Sequence, residues 1–541
     1  MAFREYHKLR ILILDDFDGF RSTVARMLED FGVAKVDGAS NAEDAQTLCE
    51  QWRYDAILSD YNLGNGATGL QLLESLRFHR RLDSRQIFVL VSAENSKEIV
   101  LAASDVEPDA YLSKPITAKT LQQRLDRILV MYQQLQPLLT AMDNHDTAAA
   151  ISACRDHIRR RGYQSGFCQK YLANLLLEAG DLGAAEQVYR SVLQVRPLEW
   201  ARLGMAKIRH LQGDLDMAKR WFQDLITVNP LNLKAYDGLA DVLASNNDGR
   251  QVQATLQSAV SISPLALLRQ ERLADTAVRN QDFAVAVKAL RRVIRLAEHS
   301  VYKTPQQNLN YARSALSLNE QLPSPEALKD AVSKLKFLEA PSLEQSIALQ
   351  SKLLQAQLML RSQDVVRGEQ MFHEACAQVQ QTPLCALPFE VAFETIKAQR
   401  CFGKQQEAEE LLQALCEQHK NDQEKLEQLD LLLDEPKSTK NKSLIARFNS
   451  DGIRHYQRHA FTQAAEAFAH AQALFPSHVG VRLNLLQVLL AQCEADDVEP
   501  GLIAQVDEAL DFVSQKIHPT DGQYRRYIQL KEKRQKCALS H

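Results

Sequence analysis

The sequence predicts an α/β domain with a five-stranded parallel sheet and helices on both faces, followed by an all-α region of repeated helix pairs. Over residues 1–130, five short apolar runs alternate with segments of helical periodicity. After residue 137 the strand signals disappear, and a pattern of small and large apolar residues recurs every 33 or 34 residues. Alternating strands and helices are typical of parallel sheets covered on both faces. A fixed period of this length is typical of stacked helical repeats.

The elements of the α/β domain follow from local patterns. The five strands are the apolar runs in LRILILDD, AKVDGAS, YDAILSDYN, QIFVLVSAEN and DAYLSKP. The five helices are FRSTVARMLEDFG, NAEDAQTLCEQW, GLQLLESLRFHRRL, SKEIVLAAS and ITAKTLQQRLDRILVMYQQL. Gly32 ends the first helix, and Asn41 is the expected N-cap of the second, because acidic residues follow it in the first turn. Since a helix follows each strand, the sheet should be parallel, with ligands at the carboxyl ends of its strands.

Polar side chains stand at the carboxyl ends of four of these strands. Asp15 and Asp16 follow the first strand, Asp60 follows the third, Ser92 the fourth and Lys114 the fifth. Three carboxylates in one crevice require a cation, because unpaired charges there would be costly. Oxygen ligands without His or Cys favour a hard ion such as Mg²⁺. A cation there would let Asp60 act as a nucleophile toward a phosphoryl group, with Ser92 and Lys114 as hydrogen-bond donors to the product.

This arrangement resembles the receiver domain of bacterial two-component response regulators, over about residues 8 to 130. The resemblance implies a flavodoxin-like fold, Asp60 as the phosphoacceptor and Mg²⁺ as the cofactor. It also implies four metal-site residues. Asp16 and Asp60 would bind the ion, Asp15 would act through water, and the backbone carbonyl of Asn62 would complete the protein ligands.

The same resemblance assigns roles on the last two strands. Ser92 and Tyr111 would form a switch pair, in which Ser92 contacts the phosphoryl group, as Lys114 does, and the tyrosine ring turns inward. The Lys114–Pro115 peptide bond would be cis, as is usual in this family. The switch would alter the face made by the last strand and the last helix of the domain.

Two further residues are expected to set how long the phosphorylated state lasts. Asn62 lies two residues past the phosphoacceptor, and Glu94 lies two residues past the switch serine. In the family, these positions tune the attack of water on the acyl phosphate. Since both side chains here are polar, the resemblance implies a lifetime of minutes rather than hours. The phosphodonor would be a histidine kinase or a phosphotransfer protein.

The repeated region resembles the tetratricopeptide repeat. Four consecutive segments between about residues 166 and 300 carry equivalent alanines at Ala173, Ala206, Ala240 and Ala274. A later segment, DGIRHYQRHAFTQAAEAFAHAQALFP, carries the pattern as well. Small residues let two helices cross closely, and larger apolar residues fill the space between units. The resemblance implies a superhelix that binds a protein partner on a concave surface and has no chemistry of its own.

The expected organisation has four parts. These are a receiver domain at residues 1–130, tetratricopeptide-repeat helices at 131–320, degenerate helical repeats at 321–440 and tetratricopeptide-like helices at 441–541. Within this plan, LLLDEPKSTKNKS at residues 431–443 is the best candidate for a flexible break.

Composition excludes several function classes. A net charge of −4 over 541 residues gives no reason to expect a nucleic-acid partner. No apolar stretch reaches the roughly 18 residues that a membrane span needs. Nine scattered cysteines without a C-x-x-C motif indicate reduced thiols in the cytoplasm.

We therefore expect a cytoplasmic, non-enzymatic regulator. Its repeats would bind a signalling protein, such as a kinase, another regulator or an output enzyme, and homodimerisation is left open. Two alternatives also stay open. The first is a regulator with a phosphatase-like enzymatic output, although the tail has no paired catalytic motifs. The second is a transcription regulator, although no helix-turn-helix stands in the chain.

Overall fold

The computed structural model describes residues 3–94, 96–160, 162–246, 248–338, 344–475, 478–493 and 500–540. The chain begins with a five-stranded parallel sheet of order β2-β1-β3-β4-β5. The strands are β1 Arg10–Leu14, β2 Lys35–Ala39, β3 Ala56–Asp60, β4 Ile87–Ser92 and β5 Ala110–Ser113. This order is the flavodoxin-like one, so the predicted fold class is confirmed.

Five helices alternate with the strands. They are α1 Asp18–Asp30, α2 Ala42–Gln51, α3 Gly69–Phe78, α4 Lys97–Val106 and α5 Ala118–Gln134. As predicted, Asn41 caps α2, because its side chain accepts a hydrogen bond from the Asp44 N–H. Helix α5 begins two residues later than the sequence suggests, since Thr117 acts as its N-cap and accepts from the Thr120 N–H.

Each face of the sheet has its own apolar core. One core joins alternate residues of the central strands to α1 and α5, and includes Ile11, Val89 and Leu125. The other joins the remaining strand residues to α2, α3 and α4, and includes Leu12 and Leu73. Every residue of β3 and β4 is buried, as expected for strands covered on both faces. Helices on both faces are therefore confirmed.

After α5, the described residues form only helices, turns and loops. The first group is α6 Gln136–Asp143, α7 Thr147–Arg159, α8 Ser165–Glu178, α9 Leu182–Val195, α10 Glu199–Leu211, α11 Leu215–Val228, α12 Leu233–Ser245, α13 Gly249–Ile262, α14 Leu267–Arg279, α15 Phe283–Ala297 and α16 Pro305–Gln321. The second group is α17 Pro325–Lys336, α18 Gln345–Arg361, α19 Val365–Gln380, α20 Phe389–Cys401, α21 Gln405–Gln418, α22 Gln423–Leu429, α23 Thr439–Gln457, α24 Phe461–Leu474, α25 Val479–Cys493, α26 Pro500–Lys516 and α27 Tyr524–Ser540.

Helices α8 to α15 follow the period found in the sequence. The alanines at equivalent positions of α8, α10, α12 and α14 are almost completely buried. An aspartate caps the second helix of each pair at the same period, since Asp181, Asp214, Asp248 and Asp282 each accept a hydrogen bond from a backbone N–H three residues on. Each cap satisfies one of the unpaired N–H groups at a helix start. The buried alanines and the capping aspartates therefore recur with the same period.

Glycines let neighbouring helices approach aromatic side chains. A Cβ atom added at Gly204 of α10 would lie 2.1 Å from the ring of Tyr189 in α9. At Gly238 of α12, the same atom would lie 2.4 Å from the ring of Phe222 in α11. Both rings are almost completely buried. The absence of a side chain at these two positions is therefore a packing requirement.

The chain divides into two compact units. The first comprises residues 1–278 and 282–311, and the second comprises residues 279–281 and 312–541. The α/β domain thus shares one compact unit with the first helix pairs. The four-part division given from the sequence stays a prediction.

The segment expected to be a flexible break is instead a closed turn. Asp430 is 2% exposed. Its carboxylate accepts hydrogen bonds from the Lys437 N–H at 2.6 Å, from the Ser438 hydroxyl at 2.6 Å and from the Asn441 side chain at 2.9 Å. A buried carboxylate held by donors from three residues fixes the chain around it. The prediction was wrong because charge and Pro content alone do not reveal this partner set.

No helix among the residues described above has the length and apolar character needed to cross a membrane.

Candidate functional site

The site is built at the carboxyl edge of the sheet. Leu14 of β1 pairs with Ser59 of β3, so the residues that follow them, Asp15 and Asp60, are neighbours. Asp15 is fully buried and Asp60 is 8% exposed, whereas Asp16 is exposed. Each of the three carboxylates offers an oxygen within 4.8 Å of the other two. The structure therefore brings together the acidic residues that the sequence singled out.

Lys114 lies between two of these carboxylates. Its Nζ atom is 2.6 Å from Asp15 Oδ2 and 2.9 Å from Asp60 Oδ2. The same atom lies 4.2 Å from the centre of the Phe20 ring, a distance that allows a cation–π contact. Burial alone would lower the pKa of Lys114, but the hydrogen bonds to both carboxylates outweigh it and raise the pKa.

The charged form of Asp60 is disfavoured by its surroundings. Burial raises the pKa of this carboxyl group, and the negative charge of Asp15 raises it further. Hydrogen bonds from Lys114 and from the Tyr61 N–H act in the opposite direction, without cancelling the rise. One lysine for three carboxylates leaves an excess of negative charge, which a divalent cation would offset. The donor atoms are all oxygen, so the residues present fit Mg²⁺.

The loop after Asp60 contributes backbone rather than side-chain groups. The side-chain oxygen of Asn62 accepts a hydrogen bond from the Gly64 N–H at 3.2 Å, so it is used within its own turn. Gly64 has a φ of +74°, and a Cβ atom there would lie 3.5 Å from Asp16 Oδ2. The turn therefore runs beside the exposed carboxylate of Asp16. The backbone carbonyl of Asn62 is the group that could complete a metal site.

Ser92 and Tyr111 are connected through one carbonyl oxygen. The Ser92 hydroxyl donates to the Glu94 carbonyl at 2.9 Å, and the Tyr111 hydroxyl donates to the same oxygen at 2.8 Å. Ser92 is 2% exposed, whereas Glu94 is exposed. The Lys114 N–H donates to the Ser92 carbonyl, and the Lys114–Pro115 peptide bond is cis. Hydrogen bonds thus connect Ser92 at the end of β4 with Tyr111 and Lys114 at β5.

Three residues at the site were not singled out from the sequence. Phe20 packs against Lys114, and Arg21 Nη1 donates to the Asp15 carbonyl at 2.6 Å. Both stand in the first turn of α1, directly after the acidic pair, and this position is the signal that could have found them. Gly69 was missed as well, and a Cβ atom there would meet the carbonyl oxygen of Asp60 at 2.1 Å.

Fold and site together define a flavodoxin-like α/β domain with an acidic, lysine-bridged pocket at the carboxyl edge of its sheet. A model of the response regulator receiver domain matches residues 11–126. The chain is 30% identical over 120 residues to the chemotaxis protein CheY-3 of Vibrio cholerae, a match that covers 22% of this chain and 91% of that protein. It is 28% identical over 120 residues to the chemotaxis protein CheY of Pseudomonas aeruginosa, covering 22% of this chain and 95% of that protein.

Among solved structures, the chemotaxis response regulator CheY4 of Vibrio cholerae is 26% identical, with a TM-score of 0.21, and the match covers 22% of this chain and 98% of that one. The chain belongs to the response regulators through its receiver domain at residues 11–126.

Proposed function

We propose that this chain is a phosphorylation-controlled regulator of a two-component system, in which Asp60 accepts the phosphoryl group and the helical repeats bind a signalling protein. The observation that carries the proposal is the cluster of Asp15, Asp16 and Asp60, two of which Lys114 bridges. Receiver domains are the receiving half of a phosphotransfer reaction, so the phosphodonor would be a histidine kinase or a phosphotransfer protein.

The chemistry follows from the side chains at the site. A carboxylate oxygen of Asp60 attacks phosphorus while the bond from phosphorus to the donor nitrogen breaks, and that nitrogen keeps the electron pair. Asp16, Asp60 and the Asn62 carbonyl would hold Mg²⁺, with Asp15 acting through water, and the ion would neutralise the incoming charge. The Nζ atom of Lys114 already lies 2.9 Å from Asp60 Oδ2.

Lys114 is therefore close enough to donate to a phosphoryl oxygen on Asp60. This charge-assisted hydrogen bond would stabilise the acyl phosphate.

The switch would act through the shared carbonyl of Glu94. If the Ser92 hydroxyl turned to a phosphoryl oxygen, it would leave that carbonyl, which would still accept from Tyr111. Glu94 lies three residues before the start of α4 at Lys97. A change at Ser92 would therefore alter the position of Tyr111 and the start of α4 together.

We propose that Asn62 and Glu94 set the lifetime of the phosphorylated state, because they tune the attack of water on the acyl phosphate. Both residues are exposed, which supports access of water from that side. Replacing both with leucine should shield phosphorus and lengthen the half-life several-fold. A wild-type half-life of many hours, or no change in the double variant, would contradict this part.

The output is proposed to be protein binding without catalysis, by a tetratricopeptide-like array in the cytoplasm. The repeated caps and the glycine–aromatic contacts support a repeat architecture. None of the eight cysteines whose side chains are described forms a disulfide bond, as expected in a reducing compartment. Neither an enzymatic tail nor a DNA-binding tail gains support from a specific observation. Homodimerisation would be measured by light scattering with and without beryllofluoride.

The test is phosphorylation of the full chain by acetyl phosphate with Mg²⁺, read from the mobility of the phosphoprotein and from its intact mass. The wild-type chain should gain one phosphoryl group, and Asp60→Asn should gain none. Asp16→Ala should lose both Mg²⁺ binding and phosphorylation. Asp30→Asn, which changes an exposed carboxylate at the end of α1, is the matched control. Phosphorylation of Asp60→Asn at the wild-type rate would refute the assignment.

A further inference from the structure

The receiver domain and the helices that follow share a buried ion-pair network. Arg269 of α14 is 7% exposed. Its guanidinium donates to both oxygens of Asp105 in α4, at 3.0 and 3.1 Å, and to both oxygens of Asp237 in α12, at 2.9 and 3.0 Å. Paired donors of this kind give arginine strong and directional recognition of carboxylates. A buried guanidinium depends on such partners.

Further contacts extend this network along α4. The Ser263 hydroxyl donates to Asp105 Oδ2 at 3.2 Å. Lys234 of α12 forms an ion pair with Glu107, the residue that ends α4. Leu101, one turn before Asp105, packs in an apolar cluster with Leu233 and Ala259. We call the surface formed by Leu233, Lys234, Ala259, Ser263 and Arg269 the Arg269 groove.

The acidic residues of α4 stand where a helix alone disfavours them. Asp105 lies in the last turn and Glu107 is the C-cap, where the helix dipole favours cations and disfavours anions. Glu107 also has a φ of +54°, a conformation that costs energy for a residue with a side chain. Burial would raise the pKa of Glu107, but Lys234 outweighs it and lowers the pKa. Contacts with the Arg269 groove therefore offset local costs at both positions.

From this complementarity we infer that the Arg269 groove is the partner-binding site of the helical array. Its ligand is a helix with an apolar residue followed by acidic residues four and six positions later. In this structure the receiver's own α4 is that ligand, through Leu101, Asp105 and Glu107. A partner protein binds by presenting the same side chains in place of α4. This inference deepens the proposed function, on which it rests.

The segment that follows Asp60 approaches the Arg269 groove. A cavity of about 820 Å³ separates part of α3 from the array, and Tyr61, Thr68 and Arg269 are among the residues that line it. Tyr61 is the residue after Asp60, and Thr68 caps α3. At the same end of α3, Gln71 donates to the Leu296 carbonyl at 3.0 Å. The loop after Asp60 therefore lies beside the same cavity as Arg269.

The first experiment measures binding of a fluorescein-labelled peptide of residues 96–107 to the full chain by anisotropy. In the wild-type chain, the tethered α4 competes, so binding should be weak. In the chain carrying Asp105→Asn and Glu107→Gln, the tethered helix competes less, and the peptide should bind about tenfold tighter or more. Adding Arg269→Gln to that chain should abolish the increase in peptide affinity. A peptide carrying the same two amide substitutions is the matched control and should bind none of these chains.

The second experiment needs no peptide. Hydrogen exchange of the α4 amides should be faster in Arg269→Gln than in wild type, while exchange in β3 and β4 should be unchanged. If Arg269→Gln does not fold, Lys234→Glu replaces it, because that charge would repel Glu107. Unchanged exchange in α4, or peptide binding that ignores Arg269, would overturn the inference. Both readouts are independent of phosphorylation, so their failure is distinct from failure of the proposed function.

A last arm tests the link to Asp60. Beryllofluoride with Mg²⁺ should increase peptide binding to the wild-type chain and leave the Asp60→Asn chain unchanged. An increase in both chains would show that the effect does not pass through Asp60.

Discussion

Gly69, the first residue of α3, is in such close contact with Asp60 that a Cβ atom there would lie 2.1 Å from the Asp60 carbonyl oxygen. The same atom would lie 2.6 Å from Ser59 Oγ, which donates to that carbonyl at 2.9 Å. The Gly69 N–H donates to the Tyr61 carbonyl at 2.9 Å. The start of α3 therefore fixes the backbone of Asp60, and only glycine leaves room for it.

The first prediction concerns this contact. Gly69→Ala should destabilise the chain by about 1–3 kcal/mol, because the backbone of β3 cannot move without disturbing the sheet. It should also slow phosphorylation of Asp60. Denaturant unfolding and acetyl phosphate labelling measure the two effects. Gly166→Ala is the matched control, since nothing lies within 4 Å of a Cβ atom there. Equal stability of Gly69→Ala and wild type would contradict the prediction.

The second prediction concerns the lysine between the carboxylates. Lys114→Met should slow phosphorylation strongly while Mg²⁺ binding persists or tightens, because the variant removes the positive charge at 2.6 and 2.9 Å from Asp15 and Asp60. Isothermal titration with Mg²⁺ and phosphorylation kinetics separate the two effects. Lys119→Met, at an exposed position of α5, should change neither. Loss of Mg²⁺ binding in Lys114→Met would show that the lysine supports the metal site instead of competing with it.

The third prediction concerns helix packing. Gly204→Ala should lower the stability of the first unit by about 1–3 kcal/mol through overpacking, because the methyl group would lie 2.1 Å from the Tyr189 ring. In Tyr189→Leu the ring is gone, so adding Gly204→Ala should cost much less. A double-mutant cycle on the melting transition measures this coupling. Additive effects of the two substitutions would argue against a direct contact.

The fourth prediction concerns the turn after α22. Asp430→Ala should destabilise the second unit by about 1–3 kcal/mol, since it leaves the buried Ser438 donors and the partly buried Lys437 N–H unsatisfied. Protease cleavage between residues 431 and 438 should accelerate. Asp434→Ala in the same turn removes an ion pair with Lys516 at an exposed position, and such pairs contribute only about 0–1 kcal/mol. Equal cleavage rates in the two variants would contradict the role of Asp430.

The fifth prediction concerns acid stability. Glu394 of α20 is fully buried and accepts hydrogen bonds from Arg313 at 2.9 Å and Gln357 at 3.1 Å. Burial would raise the pKa of Glu394, but Lys397 and Arg313 outweigh it and lower the pKa below 4.5. A lowered pKa in the folded state means that ionised Glu394 stabilises the fold above pH 4.5. That contribution is lost as the pH falls through the folded pKa.

In Glu394→Gln, the free energy of unfolding should therefore decrease less steeply as the pH falls below 4.5. Denaturant titrations at several pH values measure this dependence. Glu390→Gln, on an exposed position of the same helix, should follow the wild-type curve. The idea fails if Glu394→Gln has the same acid dependence as wild type.

The sequence by itself determined that the domain has a sheet, that its strands are parallel, and which residues stand at the carboxyl ends of those strands. Apolar runs followed by helices admit few topologies, and parallel strands bring their carboxyl ends to one edge. Asp15, Asp60 and Lys114 were therefore expected at one edge, although 99 residues separate the first from the last. The sequence also determined the period of the helix pairs, because small and large apolar residues recur at equivalent positions in neighbouring pairs.

Only the tertiary structure decided how the receiver meets the helices. Asp105 and Arg269 lie 164 residues apart, and taken singly each is the kind of charged residue that usually faces solvent. Gly69 and Asp430 likewise look like ordinary turn residues until the backbone beside them is known. The reason is physical: periodicity reports which face of an element is buried, whereas pairing between elements depends on distances that packing alone sets.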